Sequence, residues 1–170
     1  SKSKKYRVKV KKIDEMLGGL KKTIYFYRTK SIIIKIMKLN CVVVDDSSIQ
    51  RMIIAKLVNN HPNLHLVGDF SNAIEAKNCM SVHTVDLIFL DIEMPVISGF
   101  DFLDGLKVKP QIIFITSKAE YAMKAFDYDA TDYLQKPIAL DRFNASVRRA
   151  MEFHMLKREN HEEDGEHIFI

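Results

Sequence analysis

From residue 39 onward, wholly apolar runs of about five residues alternate with segments whose apolar positions recur every three or four. CVVVD (41–45) is short, β-branched and without polar alternation, and in SSIQRMIIAKLVNN the residues Ile49, Ile53 and Leu57 recur at helical spacing. A strand followed by a helix is predicted, and the unit repeats. LHLVGDF (64–70) precedes a helical segment from Asn72 to Met80, VDLIFLD (85–91) precedes GFDFLDGL, and QIIFITS (111–117) precedes AEYAMKAF (119–126). TDYLQKP (131–137) reads as a fifth strand, and Leu140, Phe143, Val147, Ala150 and Met151 mark one stripe of a long final helix. Strands lacking alternation belong to a parallel sheet covered by helices on both faces, and right-handed βαβ crossovers make that sheet doubly wound. The predicted fold is α/β, a (βα)5 unit with a five-stranded parallel sheet.

Charge divides the chain differently. Residues 1–38 hold 13 Lys/Arg against 2 Asp/Glu, a charge of +11, whereas residues 39–170 hold 13 against 20, a charge of −7. The basic part admits a nucleic-acid or anionic-membrane arm. The plainer reading is an extension, since MKLNCVVVDD from Met37 resembles an ordinary bacterial start. The expected organisation is a basic extension over 1–38, non-native or disordered, one domain over 39–156, and a linker with the start of a further domain over 157–170. Lys30, Lys35 and Lys38 interrupt the Ile-rich run below the roughly 18 apolar residues of a membrane span, so no membrane partner is expected. Cys41 and Cys79 form no CxxC pattern, which fits a reducing, cytoplasmic setting.

In open parallel sheets the functional crevice lies beyond the carboxyl ends of the strands, at the topological switch point. Polar residues cluster there: Asp45 and Asp46 end the first strand, Asp91 the third, Thr116 and Ser117 the fourth, and Lys136 the fifth. A strand order 2-1-3-4-5 brings these four ends together and leaves the second strand, with Gly68 and Asp69, at an edge. Three carboxylates at one rim repel, and a hard divalent cation such as Mg²⁺ resolves the repulsion. Phosphoryl transfer to Asp91 follows as the candidate chemistry, with Lys136 and Thr116 contacting phosphoryl oxygens. Each element has a duller reading: Asp-Asp-Ser-Ser as a helix cap, Asp91 as a strand end before a turn, Lys136-Pro137 as a surface turn, and Thr116 as a β-branched strand residue.

The strings VVVDDSS (42–48), LIFLDIEMPVISGFDFL (87–103), IIFITS (112–117) and DYLQKPI (132–138) resemble, in order and spacing, the receiver domain of bacterial two-component response regulators. The resemblance spans roughly residues 39–156 and implies a flavodoxin-like fold. It implies further that Asp91 accepts a phosphoryl group from a histidine kinase. Asp45 and Asp46, with Asp91 and the backbone carbonyl of Glu93, are expected to hold Mg²⁺. Thr116 and Lys136 are expected to contact the phosphoryl group, Tyr133 to change rotamer with Thr116, and the Lys136-Pro137 bond to be cis.

Residues 116–138 look like receivers of LytTR-type regulators, and the terminal EDGEHIFI resembles the start of that family's DNA-binding module. DNA binding is thus expected of a full-length parent and not of this chain. The face of the fourth helix, fifth strand and last helix is expected to form a homodimer, with Asp127, Asp129, Asp132, Asp141, Lys124, Arg148 and Arg149 as a two-signed surface. Glu93 and Lys118, two residues beyond Asp91 and Thr116, are expected to pair across the site and slow phosphate loss. Competing readings are a haloacid-dehalogenase-like phosphatase, which wants DxDxT on its first strand, and a receiver-like module that binds without phosphorylation.

Overall fold

The computed structural model describes the backbone of residues 2–166 and the side chains of residues 15–161. It falls into two units, Ser1–Met37 and Lys38–Ile170. The first is one helix, α1 (Lys2–Ile36). The basic segment, expected as a non-native or disordered extension, is helical over Lys2–Ile36. Thr23 and Thr29 donate their hydroxyls to the carbonyls of Gly19 and Tyr25 one turn back, and Leu20, Ile24 and Tyr27 are exposed.

The second unit contains β1 (Leu39–Val44), α2 (Ser48–Asn60), β2 (Leu64–Phe70), α3 (Ala73–Val82), β3 (Leu87–Asp91), α4 (Gly99–Asp104), β4 (Gln111–Thr116), α5 (Tyr121–Asp127), β5 (Asp132–Gln135) and α6 (Leu140–Glu166). The five strands form one parallel sheet in the order β2-β1-β3-β4-β5. That is the predicted architecture. Register pairs Val44 with Leu90 and Asp91 with Ile115, so β1, β3 and β4 end side by side and present their last residues at one rim.

Val42–Val44, Leu87–Leu90 and Ile112–Ile115 are buried throughout, because helices cover both faces of the three inner strands. On one face Phe89 stacks on Phe143 of α6 at 5.4 Å; on the other Phe114 packs against Phe100 of α4 at 5.0 Å. Burying side chains of this size on both faces fixes the sheet, each being worth about 1.5–3 kcal/mol in transfer free energy.

Two apolar stripes differ from expectation. In α2 the buried residues are Ile54 and Val58, while Ile49 and Ile53 are 64% and 44% exposed. Met52, Ile53 and Ile54 are consecutive, so spacing alone leaves the phase open. Arg51 settles it: its guanidinium donates to the Asp45 carbonyl at 2.8 Å and to Asp69 at 3.0 Å, turning the helix about its axis. In α6 Phe143, Val147, Ala150 and Met151 are buried as predicted, but Leu140, its first residue, is exposed.

The final helix runs through residues 157–166, where a linker was expected. Nothing in RENHEEDGE provides an apolar face, and its Arg and Glu residues are good helix formers. The last four residues of EDGEHIFI lie outside the described residues.

Candidate phosphoacceptor site

Asp45, Asp46 and Asp91 converge where the first and third strands end. Each offers a carboxylate oxygen lying within 4.8 Å of the other two. Asp45 is fully buried and Asp91 is 4% exposed, whereas Asp46 faces solvent. Backbone geometry orients the two buried carboxylates: the Ser47 amide donates to Asp45 Oδ1 at 2.8 Å, and the Glu93 amide donates to Asp91 Oδ1 at 3.2 Å. Ser47 also caps α2, its hydroxyl accepting the Gln50 amide. The duller reading of the Asp-Asp-Ser-Ser run thus holds for Ser47, alongside the carboxylates' place in the cluster.

Lys136 supplies the counter-charge from the end of β5. Its Nζ lies 2.8 Å from Asp45 Oδ2 and 3.7 Å from Asp91 Oδ1. The Lys136-Pro137 bond is cis. One ammonium does not offset three carboxylates. Asp91 is pushed up to about 6 by burial first, then by Asp45 and more weakly Asp46, against the opposing pull of Lys136 and the Glu93 amide. A cluster short of positive charge, with oxygen donors only, suits a hard divalent cation.

The other side of the rim is built from the segment after β4. Thr116 is buried, and its hydroxyl accepts the Lys118 amide at 3.2 Å and donates to Glu93 Oε2 at 3.3 Å. Ser117 donates to the same oxygen at 3.1 Å, and the Lys118 ammonium lies 2.8 Å from Glu93 Oε1. These bonds, that from Lys118 foremost, hold the Glu93 carboxyl below the usual range. Tyr133, half-buried on β5, donates its hydroxyl to the Lys118 carbonyl at 2.7 Å.

Gly99 closes the floor. A Cβ there would lie 2.4 Å from the Asp91 carbonyl oxygen and 3.1 Å from Ile92 Cα, and its amide donates to the Ile92 carbonyl. Only a residue without a side chain lets the start of α4 approach the end of β3 so closely. Gly99 and Arg51 are the positioning residues that sequence reasoning missed. Ser98-Gly99-Phe100-Asp101, an S-x-x-D capping box, was the available signal for the helix start.

Asp132 does not join an outward charged surface. It is 8% exposed and takes two hydrogen bonds from Arg142, at 2.7 and 2.8 Å, and one from buried Ser146 at 2.6 Å, with Arg149 at 3.4 Å. Burial pushes this carboxyl up, but the Arg142 and Ser146 bonds outweigh it and hold it down at about 2. Asp132 is removed from the expected dimer surface because it fastens α6 to β5 within the chain.

A cavity of about 1150 Å³ lies at the opposite, amino end of the sheet, among Asp86, Pro110, Gln111, Phe153 and His154. It contains none of the carboxylate cluster. His154 on α6 is half-buried there.

Residues 41–148 match the response regulator receiver domain. The chain belongs to that family. It is 39% identical over 113 residues to an uncharacterized response regulatory protein of Shewanella oneidensis, covering 65% of this chain and 48% of that one. It is 38% identical over 109 residues to the transcriptional regulatory protein BtsR of Salmonella typhi, covering 63% and 46%. The chain thus spans about half the length of these relatives. Among solved structures it is similar to the REC domain of AraT, a response regulator from Geobacillus stearothermophilus (27% identity, TM-score 0.64, 72% and 99% covered). It is similar also to the response regulatory domain of protein mrkE from Klebsiella pneumoniae (28%, TM-score 0.61, 67% and 96%). The protein is a receiver domain of a two-component response regulator, a signalling module with an acidic pocket at its strand ends.

Proposed function

We propose that this receiver takes a phosphoryl group from a histidine kinase onto Asp91 and that Asp45, Asp46, Asp91 and the backbone carbonyl of Glu93 hold Mg²⁺ for the transfer. The observation that carries the reading is the convergence of three carboxylates within 4.8 Å, two of them buried, beside a single lysine. When bound, the cation supplies charge neutralisation for the carboxylates and for the phosphoryl oxygens. A carboxylate oxygen of Asp91 forms the new bond to phosphorus while the bond from phosphorus to the donor's imidazole nitrogen breaks, the electron pair leaving with the imidazole. Lys136, already 3.7 Å from Asp91, neutralises charge on the phosphoryl oxygens, and Thr116 donates its hydroxyl to one of them.

The phosphoryl group adds about two negative charges at the rim. Thr116 and Lys136 move toward it, Tyr133 follows, and the face formed by α5, β5 and α6 changes its affinity for a second receiver. The resemblance of residues 116–138 to LytTR-type receivers and the greater length of the relatives support a DNA-binding output in the full-length protein. That output belongs to the remaining half of such a protein, in the cytoplasm.

Incubation with Mg²⁺ and acetyl phosphate, followed by intact mass, tests the chemistry. A gain of about 80 Da, one phosphoryl group, is expected. Asp91→Asn abolishes it and Asp101→Asn retains it; a gain that survives Asp91→Asn refutes the assignment.

A further inference from the structure

We infer that the Glu93 side chain is a carboxylate latch that occupies, in the unphosphorylated domain, the donors a phosphoryl group on Asp91 needs. The inference rests on the phosphoacceptor reading and assigns Glu93 a second role, separate from its backbone carbonyl.

Among the described residues, the polar contacts of this carboxylate come from one three-residue segment. Oε2 accepts the hydroxyls of Thr116 and Ser117, and Oε1 pairs with the Lys118 ammonium. Two hydroxyls and an ammonium around two oxygens make a cradle for an oxyanion, and Glu93 fills it. A threonine hydroxyl has one proton. While Thr116 donates it to Glu93, Thr116 cannot donate it to a phosphoryl oxygen, so the two acceptors compete for one donor.

The competition has a built-in direction. Glu93 lies two residues from Asp91, and a phosphoryl group there places about two negative charges beside the Glu93 carboxylate. Like charges repel, so the arrival of the group weakens the latch as it recruits Thr116. Release propagates outward. The Lys118 carbonyl holds the Tyr133 hydroxyl at 2.7 Å, so freeing the Thr116–Lys118 segment also frees the ring on β5. Glu93 is thus a positioning residue acting through Thr116. It holds the segment in its resting place and raises the phosphoryl affinity needed to move it.

The test is binding of beryllofluoride, a phosphoryl mimic, to the full chain at fixed Mg²⁺ across the cycle of wild type, Glu93→Ala, Thr116→Ala and the double variant. Removing a negative charge near the site tightens an anion in any background, so the coupling decides. The latch predicts that Glu93→Ala tightens beryllofluoride about threefold to tenfold more with Thr116 present than with Thr116→Ala, the span of one net hydrogen bond. Glu93→Gln, which still accepts hydrogen bonds, falls between. Equal gains in both backgrounds overturn the latch and leave the receiver chemistry standing; a wild type that binds no beryllofluoride removes both. The Tyr133 ring resonances provide a readout independent of the Thr116 variant. In unliganded Glu93→Ala they shift toward the beryllofluoride-bound positions, and resonances unchanged from wild type count against the latch.

Discussion

Lys136 lies closer to Asp45 than to Asp91: its ammonium is 2.8 Å from the first carboxylate and 3.7 Å from the second. The lysine thus neutralises the more deeply buried acid, and Asp91 retains a proton affinity well above an ordinary carboxyl. Lys136→Met keeps the aliphatic bulk and removes the charge. It is expected to raise the Asp91 pKa above its value of about 6 and to slow phosphoryl uptake from acetyl phosphate by at least about tenfold, the loss of one charge-assisted contact. Carboxyl ¹³C titration and mass-detected phosphorylation read the two effects. An unmoved titration means that Lys136 does not set the charge of the site.

Asp91 also links folding to pH. Its carboxyl sits near 6 in the folded chain against 3.8 when unperturbed, so between these values the folded state binds the additional proton. Its contribution to stability is present below about 3.8 and is lost as pH rises through about 6. Two pK units correspond to about 3 kcal/mol. In EDTA, Asp91→Asn is expected to be more stable than wild type by about 2 kcal/mol at pH 7 and about equal to it at pH 4, from urea unfolding. Mg²⁺ is expected to narrow the difference at pH 7. A variant no more stable than wild type at pH 7 excludes a destabilising charge on buried Asp91.

What was legible in the sequence follows from this arrangement. Each inner strand holds a wholly apolar run, 41–44, 87–90 and 112–115, that stops at a polar residue, so Asp45, Asp91 and Thr116 stand out without any knowledge of distances. Sheet order then brings them together. The partnership of Glu93 with Lys118 was legible for the same reason, each lying two residues past a strand end. Interactions that depend on the reach of a long side chain were not legible. Arg51 looks like any helix-surface arginine until its contacts with Asp45 and Asp69 are seen, and those contacts decide which of three consecutive apolar residues in α2 is buried. Asp132 was misplaced because a charged residue near a strand start reads as solvated. Its partners, Arg142 and Ser146, are four residues apart on one helix face, and only the packing of α6 on β5 brings that face to it.

That clamp responds to pH with the opposite sign. Asp132 is held at about 2 against 3.8, so its stabilisation is present above about 3.8 and is lost as pH falls through about 2. Asp132→Ala removes the carboxylate that accepts from the buried Ser146 hydroxyl and from Arg142, leaving the guanidinium only the Tyr133 carbonyl and the Ser146 oxygen. A loss of about 3 kcal/mol is expected at pH 7. Arg142→Ala in the Asp132→Ala background adds little, because both changes break one network. Full additivity in chemical unfolding counts against the clamp.

Gly99 and Val96 lie in the same loop-to-helix segment and give opposite predictions. Gly99→Ala places a Cβ 2.4 Å from the Asp91 carbonyl oxygen, backbone that cannot rotate away, so α4 or β3 must shift. A cost of about 2–3 kcal/mol is expected, with slowed phosphorylation, since the displaced backbone carries Asp91. Val96 has φ 70°, a left-handed conformation that a β-branched side chain adopts at a cost, and it is fully exposed, so no packing is lost when it is replaced. Val96→Gly is expected to relieve the strain and stabilise the domain by about 1 kcal/mol, despite the greater freedom of glycine in the unfolded chain. Val96→Asn, which tolerates the left-handed region, is expected to gain similarly. Thermal unfolding of the three variants separates the cases. A stabilised Gly99→Ala or a destabilised Val96→Asn is incompatible with the backbone geometry of this segment.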